Sequence, residues 1–215
     1  MLDIYAWSNP KFTKRESIPI KYTFESGVTM LIGSNGTGKS TLLRQLSSIF
    51  GKGNWTVIED NENIRNNYNC YYYDNEYEQN HRKQTWLEDT DSRVSRRIME
   101  TFENSEGQNM WDYLYYQLYD IGKAVRNAKE QNKKGIFLLF DGLDSGLSLD
   151  KIYKLKQELL DFIIKTDETN DFKIFIICSA NSFELSKGYD CVDVKTQEHI
   201  KFNNYEEYEK YFIGE

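Results

Sequence analysis

Short apolar runs constrain this chain most. Ile136–Phe140 is wholly apolar, Lys173–Cys178 is apolar after its first residue, and Val28–Ile32 is interrupted only by Thr29. Runs this short, without polar alternation, suit strands covered on both faces, an arrangement found mainly in parallel sheets flanked by helices. Helical stripes lie between them. Met110, Leu114, Leu118, Ile121 and Val125 recur at steps of three and four, and Ile152, Leu155, Leu159 and Ile163 repeat the pattern. The sequence therefore predicts an α/β fold with a largely parallel central sheet. Leu2–Trp7 and Ile18–Phe24 alternate in part and predict antiparallel N-terminal strands. Trp55–Ile58 and Cys70–Tyr73 read as further strands, and Val94–Phe102 as a short helix. Cys191–Val194 and Ile200–Phe202 read as a terminal hairpin, and Tyr205–Phe212 as a closing, acidic, Tyr-rich helix.

Composition narrows the function classes. The 215 residues fit one domain. Lys and Arg number 27 against 34 Asp and Glu, a formal net charge of −7. Constitutive nucleic-acid binding usually goes with a basic balance, so it is possible here only through a local patch and is not favoured. The candidate patch is Arg93, Arg96 and Arg97, whose plainer reading is a solvated helix face. Two histidines exclude zinc sites built on several histidines. Cys70, Cys178 and Cys191 lack metal-site spacing; two of them sit in apolar strand-like runs and read as core residues, and the set suits a reducing cytoplasm. No apolar run nears the roughly 20 residues that span a bilayer, and the opening MLDIYAWSNPKF carries no secretory pattern.

The chemistry concentrates in Gly33-Ser34-Asn35-Gly36-Thr37-Gly38-Lys39-Ser40, followed by Thr41. It matches G-x-x-x-x-G-K-[ST], after an apolar strand and before an amphipathic helix (Leu42, Leu43, Leu46, Ile49). Glycines let the backbone wrap a phosphate with its amides inward, and the helix start adds positive potential there. In such a site Lys39 reaches the β- and γ-phosphates and the Ser40 hydroxyl binds Mg²⁺. The metal also needs a carboxylate at the end of a neighbouring buried strand. Asp141, closing Ile136–Phe140, is the candidate; its plainer reading is a turn residue or helix cap.

Three segments resemble ABC-class ATPases, the class of transporter motor domains and of SMC, RecF and RecN repair heads. They are the GSNGTGKST loop, Asn104-Ser105-Glu106-Gly107-Gln108, which looks like the LSGGQ signature, and Phe140–Ser148, which looks like a Walker B strand running into a D-loop. The compact length resembles the small stand-alone ATPases of bacteria and their mobile elements. The resemblance implies a P-loop NTPase fold over 1–215, with about 75–132 as a small helical subdomain carrying the signature. It implies ATP and Mg²⁺ as ligands. It also implies a head-to-tail homodimer in which Ser105, Gly107 and Gln108 act in trans on the partner's nucleotide.

The pattern breaks in two places. The family's catalytic Glu position is Gly142, and glycine cannot deprotonate water. Asp144 is the nearest carboxylate, as substitute base or as part of the turn. The switch histidine is absent after Lys173–Cys178. Asn181 stands there, as a γ-phosphate ligand or as a helix cap with Ser182. Asn75 is the Q-loop candidate and Gln79 the second. Trp7, Tyr5 and Tyr22 are adenine-stacking candidates that read equally as core. The expectation is intact nucleotide binding with slow hydrolysis. The alternative is a non-hydrolysing, ATP-gated module controlling an effector protein. A P-loop kinase with Arg93, Arg96 and Arg97 as lid residues is a remote third reading, which leaves the D-loop-like segment unexplained.

Overall fold

A computed structural model describes residues 1–7, 18–51, 58, 61–75, 106–161, 163 and 171–213, with the backbone alone over 106–117. Eight strands appear in this part of the chain: β1 Leu2–Trp7, β2 Pro19–Phe24, β3 Gly27–Ile32, β4 Tyr68–Asp74, β5 Gly135–Asp141, β6 Lys173–Ser179, β7 Asp190–Asp193 and β8 His199–Ile200. The helices are α1 Lys39–Ile49, α2 Glu62–Asn67, α3 Glu106–Glu130, α4 Leu149–Lys154, α5 Phe183–Ser186 and α6 Tyr205–Ile213.

The main sheet runs β4-β5-β6-β3-β7-β8, and every neighbouring pair is parallel except the terminal β7–β8 hairpin. The α/β class read from the apolar runs is the class observed. β5 is buried at all seven positions. Its alternate side chains serve opposite layers, because a strand turns successive residues to opposite faces. Ile136, Leu138 and Phe140 pack with Ile174, Ile176 and Cys178 against helices α3 to α6. Phe137 and Leu139 pack with Phe175 and Ile177 against α1, α2 and the β1–β2 pair. Phe137 and Phe175 stack across β5–β6 with ring centroids 4.8 Å apart. Gly135 opens β5 because a Cβ there would run into the Lys173 backbone carbonyl.

The antiparallel β1–β2 pair forms a separate two-stranded sheet. Its alternation is real: Ile4, Ala6, Tyr22 and Phe24 are buried. Two buried amides complete hydrogen bonding along β1. Asn61 accepts from the Tyr5 amide at 3.0 Å and donates to the Tyr5 carbonyl at 2.7 Å. Gln45 does the same for Trp7, at 2.6 and 3.2 Å.

Three elements depart from their expected bounds. α3 starts four residues before Met110, at Glu106, and runs to Glu130. α4 does not continue as a regular helix. Leu155–Leu160 widens into a π turn that buries Leu155, Leu159 and Leu160 together. Five-residue spacing places Leu155 and Leu160 on one face, which a 3.6-residue period does not. Ile58 is buried but lies outside any strand, and Trp55 to Val57 and Val94–Phe102 lie outside the described residues. All three cysteines are buried. Among the described residues, no helix is long and apolar enough to cross a membrane.

Candidate functional site

The site lies at the carboxyl ends of β3, β5 and β6. The loop 33–38 leaves β3 and enters α1 through three glycines with left-handed φ: Gly33 at 141°, Gly36 at 83° and Gly38 at 103°. Gly33 is also sterically required, since a Cβ there would sit 2.5 Å from the Thr37 hydroxyl. Thr37 tightens the loop by donating to the Ser34 carbonyl from its amide at 3.2 Å and its hydroxyl at 2.8 Å. α1 has no acidic side chain of its own in its first turn.

Lys39 is 8% exposed, and its ammonium donates to the Gly33 carbonyl at 2.6 Å. Burial pulls its pKa below the ordinary lysine value; the charges of Asp144, Asp141 and Asp193 act in the opposite sense. Sequence reasoning missed Asp193. Its carboxylate accepts from the amides of Lys195 and Thr196, at 2.7 and 2.9 Å, and from the Tyr211 hydroxyl at 2.9 Å. It thereby fixes the β7–β8 turn beside the loop, where Val194 lies against Gly38.

Ser40 and Asp141 meet although they lie 101 positions apart in the chain: the Ser40 hydroxyl donates to Asp141 Oδ1 at 3.0 Å. The strand that supplies Asp141 is not the neighbour of β3 that the sequence suggested. β6 lies between them, because strand order follows the chain's crossovers and not the position of a motif. The intervening strand contributes Ser179, a second residue the sequence did not reveal. Its hydroxyl donates to Asp141 Oδ1 at 2.6 Å and accepts the Gly142 amide at 2.8 Å. A hydroxyl and a carboxylate this close are hard oxygen donors of the kind Mg²⁺ takes, in ones and twos, beside substrate phosphates and water. Ser40 and Asp141 fit that ion.

The segment after β5 has its own geometry. Gly142 has φ of 72°, and a Cβ there would meet Ser145 Oγ at 3.3 Å and Asn75 Cβ at 3.4 Å. A carboxylate-bearing residue at 142 would therefore be strained and crowded. Asp144 is 8% exposed and bound at both oxygens. Oδ2 accepts the Asn181 amide at 2.9 Å and the Ser182 hydroxyl at 2.8 Å, and Oδ1 accepts Asn181 Nδ2 at 3.4 Å. Ser182 Oγ in turn accepts the Leu185 amide at the start of α5. Asp144 thus ties the loop after β5 to the loop after β6, and Asn181 is held within that tie.

Asn75 follows β4 directly, is 5% exposed, and accepts from the Tyr73 hydroxyl at 3.2 Å. Asp74 is in register with Asp141, so Asn75 sits beside Gly142 at the sheet's edge. Tyr22 is core: its ring is buried and its hydroxyl donates to the Val194 carbonyl at 2.8 Å. Tyr5 and Trp7 are half-buried on β1. Gly107 and Gln108 fall in the first turn of α3. Ser105, Gln79, Arg93, Arg96 and Arg97 lie outside the described residues.

No protein-family model matches the chain, and no curated protein does. Among solved structures it is similar to cbiO1 from Clostridium perfringens, described as part of the ABC transporter complex cbiONQ. The identity is 15%, the match covers 92% of this chain and 84% of that one, and the TM-score is 0.39.

Proposed function

We propose that this chain binds Mg²⁺–ATP as an ABC-class ATPase and hydrolyses it slowly. The observation that carries the reading is the meeting of Ser40 and Asp141 at 3.0 Å beside the buried ammonium of Lys39. A hydroxyl, a carboxylate and an ammonium converge at a loop of left-handed glycines on a helix start. That constellation matches what a metal–triphosphate tail requires. Gly33, Ser34, Asn35, Gly36, Thr37 and Gly38 cradle the phosphates, Lys39 neutralises them, Ser40 and Asp141 hold the metal, and Thr41 extends the helix start. When bound, Mg²⁺ neutralises charge on the outer phosphates. The resemblance adds ATP over GTP, and a homodimer in which Ser105, Gly107 and Gln108 of one copy close on the other's nucleotide.

Slow turnover follows from the corner after β5. Gly142 offers no base, and Asn181 and Ser182 hold the Asp144 carboxylate against the loop after β6, away from a water-activating role. The same observation favours a second reading, in which the nucleotide-bound dimer persists as a signal for an effector protein. Sizing in solution tests the pair. With ATP and Mg²⁺ the wild type is expected to dimerise and Ser105→Arg to stay monomeric. A size indifferent to nucleotide and to this change overturns the sandwich. Turnover measured on the same samples separates the readings: slow ATP consumption supports the first, and none supports the second.

A further inference from the structure

We propose that Ser179 is a positioning residue for the magnesium-binding carboxylate. This inference deepens the reading above and rests on it. The strand order puts a foreign strand, β6, between β3 with its phosphate loop and β5 with its acidic residue. The two halves of a metal site must then be held in register across a third strand. Ser179 is the last residue of that strand, is 2% exposed, and touches both the carboxylate that ends β5 and the backbone of the residue after it.

The hydroxyl chemistry makes the geometry one-directional. Gly142 can only donate from its amide, so the 2.8 Å contact uses a Ser179 Oγ lone pair. The single Ser179 proton is then given to Asp141 Oδ1, at 2.6 Å, a short charge-assisted bond. Oδ1 also receives the Ser40 hydroxyl at 3.0 Å. When Ser40 turns its oxygen to a metal, Ser179 still holds Oδ1 in place and leaves the second carboxylate oxygen available. The same Ser179 oxygen pins Gly142 in its left-handed conformation, so one side chain fixes both the carboxylate rotamer and the turn that replaces the usual base position. Neither contact depends on Lys39 or on the loop amides, so Ser179 acts on metal affinity and not on phosphate affinity.

The test titrates Mg²⁺ into the full chain in the presence of a fluorescent ATP analogue, with nucleotide affinity also measured in EDTA. For Ser179→Ala the Mg²⁺ concentration at half-saturation is expected to rise about 10–100-fold, the range for residues that orient a metal ligand. Nucleotide affinity in EDTA is expected to stay within about threefold of wild type, since the residue touches no phosphate-binding group. Ser179→Thr keeps the hydroxyl and is expected to restore the wild-type Mg²⁺ midpoint. An unchanged midpoint in Ser179→Ala overturns the proposal. So does an equal loss of affinity with and without Mg²⁺, or a Ser179→Thr variant that folds and still fails. Failure of the wild type to bind nucleotide at all overturns the functional reading itself and is distinguishable from these.

Discussion

Two corners of one sheet edge follow different rules. The corner of β3 and α1 carries left-handed glycines, a buried lysine, and a serine that donates to Asp141. At the corner after β5 and β6, where hydrolytic chemistry would be assembled, a left-handed glycine and an aspartate bound to the opposite loop stand instead. The contrast teaches that holding a triphosphate and attacking it are separable tasks. The first needs amides, an ammonium and a metal carboxylate, whereas the second needs a base with a free lone pair near the terminal phosphate. On the function proposed above, this chain carries the first set and its nearest carboxylate serves as a strut.

The largest effect that breaks or sharpens the contrast is expected at Lys39. Lys39→Ala should weaken ATP binding about 100-fold, the scale of a lost charged hydrogen-bond donor. Asp144→Asn should leave binding within about threefold, because Asp144 contacts the loop after β6 and not the phosphate loop. Equal losses in the two variants would erase the distinction between the corners. Turnover abolished by Asp144→Asn from a fast wild-type rate would make Asp144 a base after all.

The next effect is at Gly142. Installing a side chain at φ of 72° should cost about 1–3 kcal/mol in Gly142→Glu. The check is a lowered Tm with no gain in ATP turnover. A rise in turnover would show that the turn tolerates a carboxylate and that only its absence limits the rate.

Asp144→Ala should cost roughly 1–3 kcal/mol by leaving the Asn181 amide without its acceptor. Hydrogen exchange at Asn181 should speed up while exchange in β3 stays slow. Uniform acceleration would mean that Asp144 supports the whole sheet and not one loop.

The smallest effect is in pH. Burial holds the Lys39 pKa below 10.5 in the free protein, and a bound phosphate favours the charged form and raises it. ATP affinity should therefore be full below the free-state pKa. It should fall as pH climbs from that value toward the higher pKa of the phosphate-bound state, with proton uptake on binding in that window. Affinity that is flat through the alkaline range would remove Lys39 from phosphate contact.

The sequence made the first corner legible and left much of the second hidden, for a physical reason. A phosphate loop is contiguous, so its glycines, lysine and serine can be read from eight adjacent residues. Ser179 and Asp193 enter the site only through strand order, 38 and 52 positions from Asp141, and an isolated serine or aspartate in a chain with many of each gives no signal. The α/β class was legible because β5 and β6 are buried on both faces. The place of β6 between β3 and β5 was not, because apolar runs carry no information about neighbours. The π turn at Leu155–Leu160 was hidden for a related reason: its hydrophobic spacing fits an ordinary helix until Leu160 must also be buried.

Calorimetric titration of ATP with Mg²⁺ into the wild-type chain and into Lys39→Ala tests the central claim most directly. Saturable heat at one nucleotide per chain is expected for the wild type, and none in the same range for the variant. Flat traces for the folded wild type with both ATP and GTP would contradict it.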